Sequence, residues 1–112
     1  MDVTKFFGDA DYTFALTDDM ILEVERKTEM GIGALYLRMI NTAFALRDLT
    51  EIIRLGLIGG GTSPEQAKAL TTTYATNRPI AELLPLALDI LDARFNGPEQ
   101  EQKEEVDSDP IS

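Results

Sequence analysis

Two residue types that carry much of enzyme chemistry are missing from this 112-residue chain, which contains no cysteine and no histidine. Without cysteine there is no disulfide framework, no thiolate nucleophile and no cysteine-based zinc site. Without histidine the chain lacks the commonest general base near neutral pH and the commonest metal ligand. Carboxylates and lysines remain, but none forms a recognisable catalytic, cofactor-binding or metal-binding pattern. We therefore expect a protein that is not an enzyme and needs no cofactor or metal.

Positive charge is also scarce, because 20 acidic side chains outnumber 10 basic ones and the formal net charge is -10 at pH 7. An acidic surface repels the phosphates of nucleic acids and of anionic lipids, so we expect no nucleic-acid partner and no membrane partner. No apolar run approaches the roughly 20 residues of a membrane-spanning helix. Residues 1–5 lack the layout of a signal peptide. These absences predict a cytoplasmic protein, and the acidity fits either solubility or attraction to a basic partner.

The start of the chain, residues 3–16, predicts a β-hairpin. Residues 3–7 and 12–16 are short segments rich in β-forming residues, and residues 8–11 supply the glycine and the aspartates of a connecting loop. Apolar residues alternate with smaller ones in the second segment, so one face of the hairpin is strongly apolar. Because an isolated hairpin is marginally stable in water, we expect this face to pack on helices.

Periodicity and helix-end signals predict five short helices, over residues 18–29, 32–46, 48–58, 64–75 and 79–95. Thr17, followed by two aspartates, is a typical N-cap of the first helix. The serine, proline and glutamine of residues 63–66 are a strong start signal for the fourth. Asp48 is predicted to begin the third helix, with Glu51 at capping-box spacing.

Two helices have unusual composition. The second predicted helix, residues 32–46, is apolar nearly all round, which is typical of a central helix contacted from several sides. Pro85 lies inside the fifth, where we expect it to kink the helix or start it afresh. The predicted fold class is α+β, mainly α: one domain over residues 1–97, with an N-terminal hairpin packed on a bundle of about five short helices.

The last segment, residues 98–112, changes character, since it holds six acidic residues against one lysine. It has too little apolar surface to offset the entropy of ordering, so we predict a disordered acidic C-terminal tail. Two roles stay open for this tail. It is either a solvated extension or an arm that competes for a partner or mimics nucleic acid.

The glycine-rich sequence GLIGGGTSPEQ, residues 56–66, raises the question of a nucleotide site. A phosphate-binding loop of the Walker type needs a lysine directly after its last glycine, whereas Lys68 lies inside the next helix. The preceding segment also reads as a helix instead of the strand that such loops follow. We interpret the three glycines as a flexible joint between helices. We predict a partner-contact or self-association surface at Leu57, Ile58, Gly59, Gly60 and Gly61.

The alternative for that segment is that Leu57 and Ile58 are simply buried residues at a helix end.

Several segments of the chain, taken together, resemble a known family. They are DLTEIIRLGLIGGG (residues 48–61), SPEQAKAL (63–70) and RPIAELLPLALDIL (78–91), preceded by the hairpin and the acid-capped helix. This combination is similar to the small tail proteins of gene transfer agents and siphophages, over roughly residues 3–97. That family is often labelled as tail tube, and its members are generally regarded as tail assembly chaperones.

The resemblance implies a non-enzymatic protein-binding role in a phage, a prophage or a gene transfer agent. Such chaperones are thought to coat the tape-measure protein before tail-tube subunits polymerise around it. The implied partners are the tape-measure protein and, as a second candidate, the major tail protein. Two alternatives stay open. One is a structural tail component, and the other is a small acidic adaptor or inhibitor that binds a basic partner through residues 99–109.

Overall fold

A computed structural model describes residues 1–97 of the chain, and the predicted acidic tail lies outside the described residues. The elements follow one another as β1 (Val3–Phe7), β2 (Ala10–Phe14), α1 (Asp18–Thr28), α2 (Ile32–Ile40), α3 (Leu46–Gly59), α4 (Pro64–Ala75) and α5 (Ile80–Asn96). A two-stranded antiparallel hairpin followed by five helices confirms the predicted fold class.

The hairpin is tighter than its sequence suggested. Pairing of Phe7 with Ala10 leaves only Gly8 and Asp9 in the loop, in place of the predicted four residues. Gly8 has a φ of 73°, in the left-handed region that glycine reaches without strain. The rings of Phe7 and Phe14 are both buried and meet edge to face, with centroids 6.2 Å apart. The apolar face therefore packs into the core, as expected for a hairpin that is not stable alone.

The central element is α3, which packs against α1, α4, α5 and β2. The prediction of a central α2 is wrong. The helix ends at Ile40 instead of residue 46, and Thr42 then takes a left-handed conformation with a φ of 53°. The guanidinium of Arg38 donates to the carbonyl of Ala43 over 2.6 Å, which holds the chain in this turn. The apolar residues that follow Ile40 thus belong to a loop and to the start of α3.

Asp48 stabilises the start of α3 from a different position than predicted. The helix begins at Leu46 with Ala45 as its N-cap, so Asp48 is the third residue of the helix instead of the cap. Its buried carboxylate accepts a hydrogen bond of 2.8 Å from the backbone N–H of Ala45. It also lies 3.6 Å from the Nε of Arg38. An acid in the first turn binds the free N–H groups there and complements the helix dipole.

The other end signals act where they were predicted. Thr17 accepts from the N–H of Met20 over 3.3 Å, and Ser63 accepts from the N–H of Gln66 over 3.1 Å. Of the two expectations for Pro85, a fresh helix start is wrong, since one helix runs from Ile80 to Asn96, and a kink stays a prediction. Proline has no N–H, so the carbonyl of Ala81 receives no helical hydrogen bond from Pro85. Both residues are exposed, so water can bind this carbonyl.

Side chains of α5 also fasten it to the first residues of the chain. Lys5 of β1 forms an ion pair of 3.1 Å with Asp89. Arg94 donates to the carbonyl of Leu16 over 2.7 Å and to the carboxylate of Asp18 over 2.6 Å. The end of α5 is therefore fixed beside the start of α1.

Candidate interaction surface

The glycines that follow Ile58 are packing residues. A Cβ atom on Gly59 would lie 1.9 Å from the carbonyl oxygen of Ala15, and one on Gly60 would lie 2.0 Å from that of Thr13. Both distances are far below any normal contact, so only glycine allows the backbone around β2 to pass this close to α3. The N–H of Ala15 also donates to the carbonyl of Gly56 over 2.9 Å. This contact corrects the interpretation of Gly59 and Gly60 as a flexible joint.

The five residues predicted to contact a partner differ in exposure. Leu57 is fully buried, whereas Ile58 is half-buried and packs against the core. Gly59 and Gly60 are half-buried under the β2 backbone, and Gly61 alone is exposed, with a φ of 116°. The buried helix-end alternative thus describes the position of Leu57. A partner-binding role for the segment stays a prediction.

A larger exposed apolar area lies on α2. Leu37 and Ile40 are 59% and 53% exposed, and residues three apart in a helix are neighbours on its surface. Beside them, the ring of Tyr36 stacks on that of Phe95 of α5, with centroids 4.2 Å apart and planes 20° apart. Phe95 is itself 42% exposed. We call Tyr36, Leu37, Ile40 and Phe95 the α2 surface.

The composition of α2 explains why its part of this surface carries no charged side chain. Leu35 and Met39 are fully buried and define the face that packs on the core. Leu37 lies on the opposite side, because successive residues in a helix are rotated by about 100°. Arg38 is the one charged residue of α2, and it turns towards Ala43 and Asp48. The sequence shows that this helix is apolar nearly all round, which predicted that all of its apolar side chains face the core. Leu37 and Ile40 instead face solvent.

A hydrogen bond holds Tyr36 against α5. Its hydroxyl donates to the carboxylate of Asp92. This hydrogen bond, together with burial, raises the pKa of Tyr36 above its usual value. The neutral phenol is thus favoured in the folded state, because only the protonated hydroxyl can donate to Asp92.

Replacing Tyr36 by phenylalanine is expected to remove a pH dependence at alkaline pH. A phenol with a raised folded-state pKa adds stability that is fully present below the unfolded pKa of about 10 and is lost as pH rises through the folded value. The stability difference between wild type and Tyr36→Phe should therefore be largest near neutral pH and shrink above about pH 10. Urea denaturation across this range measures it. Tyr12, whose pKa is raised by Asp9, titrates in both proteins and cancels. A difference independent of pH would contradict the role of Tyr36.

Within residues 1–97, no group of three or more acidic side chains is arranged to hold a metal ion. In this same part of the chain, no helix combines the length and apolar character needed to cross a membrane.

The described features define a class: a small, mainly α-helical domain with an N-terminal hairpin and an exposed apolar helix face. Residues 1–97 match the family described as phage tail tube protein, GTA-gp10, and the chain belongs to this family. The match confirms the resemblance to phage tail and gene transfer agent proteins over the whole predicted domain. Comparison with curated proteins gives no match, and neither does comparison with solved structures.

Proposed function

We propose that this protein is a non-enzymatic morphogenesis factor of a phage-like tail, acting in the cytoplasm as a tail assembly chaperone. In this role it binds the tape-measure protein before the tube polymerises, and it also meets the major tail protein. Family membership supports the connection with tails. The observation that carries the chaperone role is the α2 surface.

The α2 surface has the chemistry needed to cover an apolar helical segment. Leu37, Ile40 and Phe95 expose apolar side chains beside one another on a chain whose net charge is -10. An amphipathic helix can lay its apolar face on such a surface and remove both from water. The negative charge of the chain meanwhile opposes non-specific association between its own copies. The exposed apolar side chains and the net negative charge together favour binding of an apolar partner over self-association.

Placing charge on the α2 surface is expected to abolish this binding. The double variant Leu37→Glu/Ile40→Glu loses two apolar contacts, each with a burial free energy of about 1.5 kcal/mol or more, so affinity should fall at least about 100-fold. Co-expression with a candidate tape-measure protein provides the measurement. We expect wild type to raise the soluble fraction of the tape-measure protein and the double variant to leave it insoluble.

Leu22→Glu is the matched control. Leu22 is 63% exposed but stands on the outer face of α1, one helical turn from the charged Asp18 and Arg26. This variant should keep the activity of wild type, and thermal unfolding should show that all the variants remain folded. Full activity of the folded α2 variant would refute the role of this surface.

The second candidate function is a structural component of the tail, which the family description as a tail tube protein favours. A tube wall normally requires a sheet that continues from subunit to subunit, whereas the described residues form one sheet of two strands. Mass spectrometry of purified particles separates the two functions. A chaperone should be absent from mature particles, and a tube subunit should be present in many copies.

A further inference from the structure

An open groove of about 460 Å³ lies on the side of the domain formed by α1, α3 and α4. Its walls carry three cationic side chains, those of Lys27, Arg54 and Lys68, and one carboxylate, that of Glu51. Threonine hydroxyls, including that of Thr72, line the space between them. The groove is thus a basic, polar concavity on an acidic protein.

Two of the three cations in the groove form no ion pair within residues 1–97, although the carboxylate of Glu23 lies near enough to Lys27 to interact with its charge. Arg54 pairs with Glu51 over 2.6 Å, which leaves that carboxylate already engaged. Lys27 and Lys68 are exposed, and neither forms an ion pair with any of residues 1–97. Their ammonium groups can each bind a carboxylate, and the hydroxyls can donate hydrogen bonds to the same group. The chemistry of the groove therefore fits an acidic peptide segment.

We propose that the occupant is the acidic segment of this same chain, residues 99–109. This segment carries six carboxylates and one lysine, which complements the charge of the groove. It follows α5 directly, and the end of α5 is held at the start of α1 by the contact of Arg94 with Asp18. From Asp18 to Lys27 the α1 axis extends only about 14 Å.

Because residues 99–109 are covalently attached to the domain, weak contacts are sufficient to hold them in the groove. Fifteen residues follow Gly97, and an extended chain of this length spans up to about 50 Å, so the groove is within reach. A tethered segment acts at an effective concentration of the order of millimolar, so a few screened ion pairs suffice for substantial occupancy. In this arrangement the segment neutralises the groove and excludes other acidic peptides from it. This contact is separate from the α2 surface and does not depend on the proposed function.

Paramagnetic relaxation enhancement in the full chain tests this contact. Because the chain has no cysteine, Ser108→Cys gives a single site for a nitroxide label. We expect the label to broaden the amide signals of Lys27, Thr50 and Lys68 selectively. The broadening should disappear when salt is raised from about 0.1 M to about 1 M, since the Debye length falls from roughly 10 Å to roughly 3 Å. It should also disappear in the labelled variant Lys27→Glu/Lys68→Glu.

A charge-matched control separates the groove from the overall charge. Arg47→Glu/Arg78→Glu changes the net charge equally, but it alters exposed cations that do not line the groove and should leave the broadening intact. Equal loss in both double variants, or no broadening in the wild-type groove, would overturn the proposal. So would broadening that arises only between molecules, detected by mixing nitroxide-labelled protein with unlabelled, isotope-enriched protein. Those results would assign the groove to a partner's acidic segment or to a second copy.

Discussion

Replacing Gly60 by alanine is expected to lower the free energy of unfolding by about 3 kcal/mol or more, which is a large part of the stability of a small domain. The reason is steric, since the added Cβ would lie 2.0 Å from the carbonyl oxygen of Thr13 and 2.5 Å from its carbonyl carbon. The obstacle is backbone, so no change of rotamer relieves the overlap. The backbone around β2 must move away from α3, which weakens the hydrogen bond from Ala15 to Gly56.

Gly33 provides the matched control for the Gly60 variant. A Cβ on Gly33 meets no atom within 4 Å, and this residue lies in the first turn of α2. Gly33→Ala should therefore leave the free energy of unfolding unchanged or raise it, by up to about 1 kcal/mol. Urea denaturation of the two variants and wild type gives both values. A Gly60→Ala protein as stable as wild type would show that the close approach of β2 and α3 is not required.

Truncation of Leu57 is the second change with a large expected effect. This side chain is fully buried in α3, so Leu57→Ala should lower the free energy of unfolding by about 2–5 kcal/mol, through lost burial and the cavity left behind. The neighbouring Ile58 is half-buried, and Ile58→Ala should have a smaller effect, of about 1 kcal/mol. Thermal or urea denaturation compares the two directly.

The Leu57 variant also distinguishes a core role from the predicted role in partner binding. At a temperature where Leu57→Ala is still folded, we expect it to solubilise the tape-measure protein as well as wild type, because its side chain does not reach the surface. Loss of that activity in the folded protein would instead support the prediction that the segment from Leu57 to Gly61 contacts the partner. Unchanged stability would contradict the buried position of Leu57.

Sequence reasoning succeeded where the determining interaction is local. The hydroxyls of Thr17 and Ser63 bind N–H groups three residues further on, so their types and spacing are sufficient to predict where α1 and α4 begin. Asp48 shows the limit of this method. Its carboxylate accepts a hydrogen bond from a free N–H group at the start of α3. The sequence does not distinguish an aspartate at the N-cap from one in the first turn of the helix.

Features that depend on distant contacts were not predictable in this way. The end of α2 is set by a turn at Thr42 and by Arg38, whereas the apolar run continues through residue 46. An apolar residue of that helix faces the core or solvent according to what packs beside it, and the sequence does not contain this information. The sequence also does not show that residue 60 must be glycine, because this requirement comes from the backbone of β2, more than forty residues earlier in the chain. Composition identified the unusual segments, and packing determined their roles.

The bonds that join α5 to the first residues of the chain also bear on how the domain is made. Lys5 meets Asp89, and Leu16 meets Arg94, so these contacts close loops nearly as long as the domain itself. During translation the hairpin emerges first, yet its partners on α5 are synthesised last, and contacts of such high sequence separation form slowly. Until α5 is present, Lys5 and the carbonyl of Leu16 lack these partners, and the side of α3 that packs on α5 stays exposed to water. A chain truncated before residue 94 therefore lacks the contact with Leu16, and one truncated before α5 also leaves the packing side of α3 uncovered.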